Sequence, residues 1–193
     1  MALNANEVRV AITGEVYAAP VDTAAPTTAV SELDAAFVGL GYNSEDGVVE
    51  SFEESSEVVR AWQNNAAVRT ITTESDARIA FTMIQTNKAS LELFHKGSEI
   101  VSDGEDGYRM DVILPTPDPR SFVLDVIDGD EHVRIYIPRG EVVERGEVEY
   151  VGGSAVGYPV TISCTPVEME VNGETKPCVY TKFSNSPAWG EES

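Results

Sequence analysis

The residues that most often carry chemistry are sparse in this chain of 193 residues. Its two histidines, His95 and His132, have no spacing typical of a metal or nucleophile site. A GxSxG nucleophile elbow, a phosphate-binding loop and an HExxH metal motif are all absent from the sequence. Gly39 and Gly41 lack the third glycine of a dinucleotide-binding loop. Acidic side chains are too numerous for any pair to indicate acid–base catalysis. The sequence therefore predicts a protein that is not an enzyme and has no catalytic residues.

Two further groups could bind a metal or form a cross-link. The run DGEDG at 103–107 is acidic, but it does not match the spacing of a calcium loop. Cys164 and Cys178 are too few for a zinc site. A hairpin turn at Asn172-Gly173 would direct the two thiols to opposite faces, which forbids a disulfide. We expect free cysteines, no metal and no cofactor.

The charge balance excludes one large class of partners. The chain has thirteen Lys and Arg residues and thirty-three Asp and Glu residues, which gives a net charge of −20. Because DNA and RNA binding depends on basic contacts to phosphate, specific nucleic-acid recognition is not expected. An acidic surface also favours solubility. No apolar run approaches the ~18 residues of a membrane span, and the N-terminus lacks a secretory signal pattern, so neither membrane insertion nor export is expected.

The elements that must position any site are mostly strands. Residues 70–83 alternate between a polar set and a largely apolar set, which predicts one long strand with a wet face and a buried face. The segment TNKASLELFH, Thr86 to His95, is the one convincing helix, with Thr86 or Asn87 as its cap and Gly97 beyond its end. The pattern predicts a mainly β protein with one flanking helix.

The clearest hairpin covers residues 121–138. A turn at Gly129-Asp130 sets Leu124 opposite Ile135 and Asp125 opposite Arg134. A turn at Asp128-Gly129 is also allowed, but it places a glutamate opposite a valine. The first register accounts for more residues.

Three segments have no periodicity. Residues 18–31 are rich in Ala, Thr and Pro, which predicts an extended arm, either a free linker or a segment ordered against a neighbouring copy. Residues 39–57 contain six acids and predict a long acidic loop. Residues 185–193 predict a C-terminal tail beyond a single domain of residues 1–184.

Six segments of the chain, in this order, give it a recognisable resemblance. They are VRVAITGEVYAAP (8–20), LDAAFVGLGYNSEDGV (33–48), VRAWQNN (59–65), FTMIQTNKASLELF (81–94), SFVLDVIDGDEHVRIYIPRGEV (121–142) and GYPVTISCTP (157–166). Together they make the chain similar to the major tail proteins, or tail tube subunits, of long-tailed (siphovirus-like) bacteriophages, particularly those infecting actinobacteria. The acid-rich loop, the cysteine-containing hairpin and the C-terminal tail depart from the family pattern.

The resemblance implies a β-sandwich or barrel-like tail tube fold with a flanking helix. It also implies six copies in a ring, inner sheets joined into a β-barrel lumen, and rings stacked into a tube. The implied partners are further copies of the chain, a tape measure protein held in the lumen, and the tail tip and tail terminator proteins. DNA would pass through the lumen without specific binding. The implied location is the virion, after assembly in the host bacterial cytoplasm.

Two other classes of protein remain as alternatives. A tail terminator or capsid decoration protein could share a similar β fold. A carbohydrate-binding β-sandwich would need exposed aromatics, whereas Trp62 is expected inside a strand and only Trp189 in an exposed tail.

The candidate site residues follow from strand parity and from the irregular segments. Polar residues of two strands are candidates for a lumen face: Thr70, Thr72, Glu74, Asp76, Thr161, Ser163 and Thr165. Residues of the arm and the acidic loop are candidates for contacts between subunits and rings: Pro20, Pro26, Tyr42, Glu45, Asp46, Phe52, Glu53 and Glu54.

Overall fold

Twelve strands and one α-helix make up the described part of the computed structural model, which covers residues 7–104 and 107–190, with only the backbone described at 72–74. The strands are β1 Thr13–Pro20, β2 Val38–Gly39, β3 Asn43–Arg60, β4 Ala67–Met83, β5 Ile100–Ser102, β6 Tyr108–Met110, β7 Arg120–Asp128, β8 Glu131–Arg145, β9 Tyr158–Cys164, β10 Val167–Val171, β11 Glu174–Cys178 and β12 Thr181–Ser184. The α-helix α1 covers Lys88–Phe94, and a short 3₁₀ helix covers Pro187–Trp189. The predicted mainly β class with one α-helix is confirmed.

One sheet organises the molecule, in the strand order β2-β1-β7-β8-β9-β4-β3, with β12 also paired to β8. The N-terminal half of β8 pairs with β7 and β12, and its C-terminal half pairs with β9. This change of partners divides the sheet into two layers. At the change, a Cβ on Gly140 would lie 2.7 Å from the Ile162 side chain and 3.0 Å from Phe122, so close packing requires glycine there. Among the described residues the sheet is open and not closed into a barrel, and β3 is its last strand.

The main hydrophobic core lies between the two layers. Its largest fully buried members are Leu40, which follows β2, and residues of β1, β4, β7, β8, β9 and α1: Val16, Ile79, Met83, Leu93, Phe122, Leu124, Ile137 and Ile162. Strand β9 alternates strictly between buried and half-buried residues, whereas the middle of β7 is buried on both faces.

The helix begins and ends close to its predicted bounds of Thr86 and His95. Asn87 is the cap: its side chain accepts from the Ser90 N–H at 2.9 Å, and the Asn87 N–H donates to Ser90 Oγ at 3.1 Å. Phe94 packs edge-on against Tyr158 with ring centroids 5.5 Å apart. This contact fixes the helix to β9.

Both predicted hairpin turns are confirmed. Leu124 pairs with Ile135, and Asp125 pairs with Arg134, as the turn at Gly129-Asp130 requires. The turn at Asn172-Gly173 joins β10 and β11. Cys164 and Cys178 are free, and burial raises the pKa of the Cys164 thiol to about 12. Cys164 is therefore protonated and unreactive at neutral pH.

Residues 18–31 are not an arm separate from the domain. Residues 18–20 end β1, and the rest of the segment packs on the outer face of the layer formed by β1, β7 and β8, where Ala29 is buried. Arg134 forms a bidentate pair with Asp125 at 2.6 and 2.8 Å and donates to the Ser31 carbonyl at 2.6 Å. This buried arginine holds the segment down, a long-range contact that composition does not reveal.

The C-terminal end is likewise held to the domain. Asn185 accepts from the His132 N–H at 2.7 Å and donates to the Asp130 carbonyl, and Ser186 is buried beneath Arg9. The first residue of the predicted tail at 185–193 is therefore bound to the β7–β8 hairpin, and the second to Arg9.

Replacing Arg134 with methionine should lower the free energy of unfolding by about 3–5 kcal/mol, because Asp125 would keep a buried, unpaired charge. Urea titration of the purified protein measures the loss. The matched control is Arg109→Met, which removes only exposed ion pairs to Asp103 and Asp111 and should cost less than about 1 kcal/mol. Equal losses in the two variants would contradict the role of Arg134.

Candidate functional site

The β3–β4 hairpin is the most prominent surface of the molecule. Its strands have 18 and 17 residues, so the hairpin is roughly 55 Å long at about 3.3 Å per residue. The region predicted as an irregular acidic loop at 39–57 is thus mostly β3, and that prediction is wrong. Acidic residues on both faces of β3 conceal the alternation of polar and apolar residues that marks a strand. β3 is held as a strand by its pairing with β4.

The distal half of this hairpin projects beyond the core. Residues 53–60 and 62–71 are all exposed, on both faces of the ribbon. Trp62 lies in the connecting turn and is 97% exposed, so its expected place inside a strand is also wrong. The turn is made by Asn64 and Asn65, both with positive φ, a conformation that asparagine tolerates.

A charged network crosses the polar face of the layer that contains β3, β4, β9 and the end of β8. The Arg78 guanidinium on β4 forms ion pairs with Asp76 at 2.6 Å, Glu144 at 3.0 Å and Glu53 at 3.8 Å. Asp76 also accepts from Ser163 Oγ at 2.9 Å. The Arg78 hydrogen bond lowers the pKa of Asp76 below its ordinary value, so this carboxylate stays ionised. One arginine therefore faces three acids on this surface.

The structure brings together some of the candidate lumen residues. Asp76 and Ser163 are in contact, and Thr161 pairs with Ala80 on β4 and with Glu144 on β8, on the same face. Thr165 lies just beyond β9 and is exposed. The side chains of Thr72 and Glu74 lie outside the described residues.

Thr70 does not share this face, because a β-bulge interrupts the parity of β4. Ser55 pairs with Glu74 and Ser56 with Thr72, so one residue of β4 is inserted between the two pairs. Beyond the bulge Thr70 pairs with Val58. Asp76 pairs with Glu53. Glu53 and Val58 are five positions apart on β3, which has no bulge between them, so their side chains lie on opposite faces. The expectation that Thr70 and Asp76 lie on the same face of the sheet is therefore wrong.

The candidate contact residues are mostly on the surface. Tyr42 is 78% exposed, and Glu45, Asp46, Glu53, Glu54 and Pro20 are exposed, while Pro26 is buried in its own chain. Phe52 is half exposed and its ring lies 5.8 Å from that of Tyr180. Three residues that sequence reasoning did not select, Trp62, Arg78 and Glu144, are central to these surfaces. The sequence signal that could have identified Arg78 is a basic residue close to two acids, Glu74 and Asp76.

The base of the hairpin is fastened to the other layer. Glu50 accepts from Lys182 Nζ at 2.6 Å and from the Tyr180 hydroxyl. Burial favours a higher pKa for Glu50, but the two hydrogen bonds prevail and lower it. The proximal hairpin is therefore fixed, and its direction relative to the core is set.

The outer edge of β3 presents backbone groups without a strand partner in the described part of the chain. The Ala61 N–H donates inward to the Ala66 carbonyl at 2.8 Å. Since N–H groups alternate in direction along an antiparallel strand, those of Glu50, Phe52, Glu54 and Ser56 point outward. An edge of this length is a template for pairing with another chain.

Neither a membrane span nor a metal cluster is found within residues 7–104 and 107–190. The helix α1 has seven residues, far below the length of a bilayer crossing. No group of three or more His, Cys, Asp or Glu in this range is arranged to hold a metal ion.

A family model described as a phage tail tube protein matches residues 1–171 of the 193. No curated protein matches the chain.

Proposed function

Because the chain belongs to the phage tail tube protein family, we propose that it forms hexameric rings that stack into the tube. As a member of that family it is a structural component of a phage tail and assembles with itself and with other tail proteins. The observation that carries this proposal is the long β3–β4 hairpin with its unpaired outer edge. A ring removes such an edge, since each copy covers the edge of the next.

In the ring, the layer of β3, β4, β9 and the end of β8 forms the inner wall. Its two margins are β3 and residues 140–145 of β8, and pairing of one margin with the other in the neighbouring copy would close a continuous β-barrel. The open sheet of the single chain is consistent with closure by neighbours. The two-layer arrangement then leaves β1, β7 and β12 on the outside of the wall.

The polar face of that layer lines the lumen in this proposal. Glu53, Asp76 and Glu144 outnumber Arg78 on it. Six copies of a chain with net charge −20 bring −120 to each ring. Since retention of DNA depends on basic contacts to phosphate, such a wall lets DNA slide into the host without specific binding.

The remaining partners follow from the same role. The lumen holds a tape measure protein during assembly in the host cytoplasm, and the tube ends meet the tail tip and tail terminator proteins. The family match favours a tube subunit over a tail terminator, a capsid decoration protein or a carbohydrate-binding module.

Negative-stain electron microscopy of the purified protein over a concentration series tests the proposal. We expect hollow tubes or stacked rings whose six-fold symmetry is visible in end views. If only monomers appear, the series is repeated with tail tip and tape measure proteins, since growth can require an initiator. Monomers under both conditions would contradict the proposed assembly.

A further inference from the structure

The β8 margin of the proposed inner wall, residues 140–145, has backbone groups that face outward. β7 pairs with β8 only as far as Gly140, and β9 covers the opposite edge. The Thr165 N–H donates to the Arg139 carbonyl, so the backbone groups of Val142, three residues further on, point away from β9. Among the residues that the structure describes, no strand meets these groups. A bare strand edge of this kind attracts other strands.

Lys96 occupies this edge in place of a strand. Its Nζ donates to the Val142 carbonyl at 2.8 Å and to Glu141 Oε1 at 2.7 Å. The hydrogen bond from Lys96 lowers the pKa of Glu141, although burial opposes the shift, so the carboxylate is ionised and the contact is an ion pair. Only 15% of the Lys96 side chain is exposed. The ammonium therefore takes up the acceptor that a neighbouring strand would need.

The end of α1 holds Lys96 in this position. Arg145 donates to the Phe94 carbonyl at 3.2 Å, which attaches the end of the helix to β8. Gly97 follows with a positive φ, and a Cβ there would lie 2.3 Å from Thr116 Oγ1. The turn after the helix thus requires glycine and leaves little freedom to the residue before it. Helix, turn and margin together direct the lysine onto the strand edge.

A lysine on a strand edge is one of the devices by which proteins prevent edge-to-edge pairing. An incoming β3 must displace the ammonium from the Val142 carbonyl before its own N–H can bond there. The loss of a hydrogen bond from a charged donor corresponds to a factor of roughly ten or more in an equilibrium constant. A tube end binds a subunit through many contacts at once, so it can meet this cost more readily than a second free subunit can.

We propose that Lys96 guards the β8 margin of the free subunit, and that it must leave the Val142 carbonyl before β3 of the next copy can pair there. This inference rests on the proposed closure of the ring by neighbouring copies. It assigns to one lysine the role of keeping free subunits apart until a growing tube binds them.

Lys96→Met tests the guard, because methionine keeps most of the apolar stem and removes the ammonium. Without initiator proteins, we expect tubes at a concentration at least about tenfold below any at which the unmodified protein forms them, with a shorter lag before growth. Light scattering and negative-stain microscopy follow the growth. The variant carries one more net negative charge, so general repulsion between subunits acts against the expected result.

Lys88→Met is the matched control. Lys88 lies on the same helix and pairs with Glu92 at 3.7 Å, but its side chain is 68% exposed. Its loss gives the same net charge and should leave the concentration threshold and the lag unchanged. Glu141→Gln is a second variant, which keeps the lysine and removes the charge that holds it, so it should lower the threshold by a smaller factor. Glu168→Gln on β10 makes the same charge change outside the wall and should have no effect.

Urea unfolding of Lys96→Met shows whether the variant is folded, and the outcomes then separate the inference from the proposal beneath it. A folded Lys96→Met protein that grows tubes no more readily than the unmodified protein, or no more readily than Lys88→Met, would overturn the guard and leave the tube function standing. If Lys96→Met does not fold, the comparison of Glu141→Gln with Glu168→Gln decides in the same way. Absence of tubes from every protein, even with tail tip and tape measure proteins, would overturn both.

Discussion

Replacing Glu54 with proline should abolish tube formation and leave a folded monomer. Glu54 lies near the middle of β3, is exposed, and directs its N–H away from β4. Proline removes that donor and places a ring where a neighbouring strand would approach, yet an edge position tolerates it within the chain. Circular dichroism and urea unfolding check the monomer, and negative-stain microscopy checks the tubes.

The control for this variant is Glu54→Ala, which removes the same charge and keeps the backbone N–H. It should form tubes as the unmodified protein does. Glu53→Pro is the opposite control, since its N–H points inward to β4 and its loss should destabilise the hairpin itself. Tubes of normal length from a folded Glu54→Pro protein would mean that neighbouring copies do not pair through the edge of β3.

The elements that could be predicted from sequence are those whose order is local. The 121–138 hairpin has a turn that fixes its register and alternating residues that fix its faces, and both were confirmed. The helix carries its own cap in Asn87 and Ser90. In these cases the information needed lies within about eighteen residues of chain.

The elements that were mispredicted depend on distant partners. Residues 21–31 resemble a linker until Arg134, more than a hundred positions away, donates to the Ser31 carbonyl. β3 has acids on both faces because nothing in the described part of the chain covers its distal half, so the alternation that marks a half-buried strand is missing. That absence is itself consistent with a strand that belongs to an assembly.

The proposed lumen face was only partly predictable for a different reason. Parity placed Asp76 and Ser163 each on the polar face of its own strand, and the structure brings these two side chains into contact where β4 and β9 pair without a bulge. Thr70 was misplaced by a single inserted residue, and a bulge reverses every side chain beyond it. A bulge has no reliable sequence signal in a run of threonines.

Reversing the charge of the polar face should leave tubes intact and impair DNA ejection. Glu53 and Glu144 are the most exposed acids in the Arg78 network, so lysine at both positions adds cations without removing the closer Asp76–Arg78 pair. In a six-copy ring this supplies at least six new phosphate contacts, enough to make DNA retention fall by about 10³-fold between 50 and 200 mM salt. Phage carrying the double variant should eject poorly at low salt and recover as salt is raised.

The matched control places the same change elsewhere. Glu168→Lys with Glu170→Lys alters two exposed acids on β10, outside the proposed inner wall, and gives the same net charge. That variant should eject DNA normally at every salt concentration. If both double variants eject alike, total charge and not the face of Glu53 and Glu144 governs ejection. A defect that is specific to Glu53 and Glu144 and relieved by salt would support contact between this face and the DNA, because phosphate contacts weaken as salt rises and the control carries the same net charge.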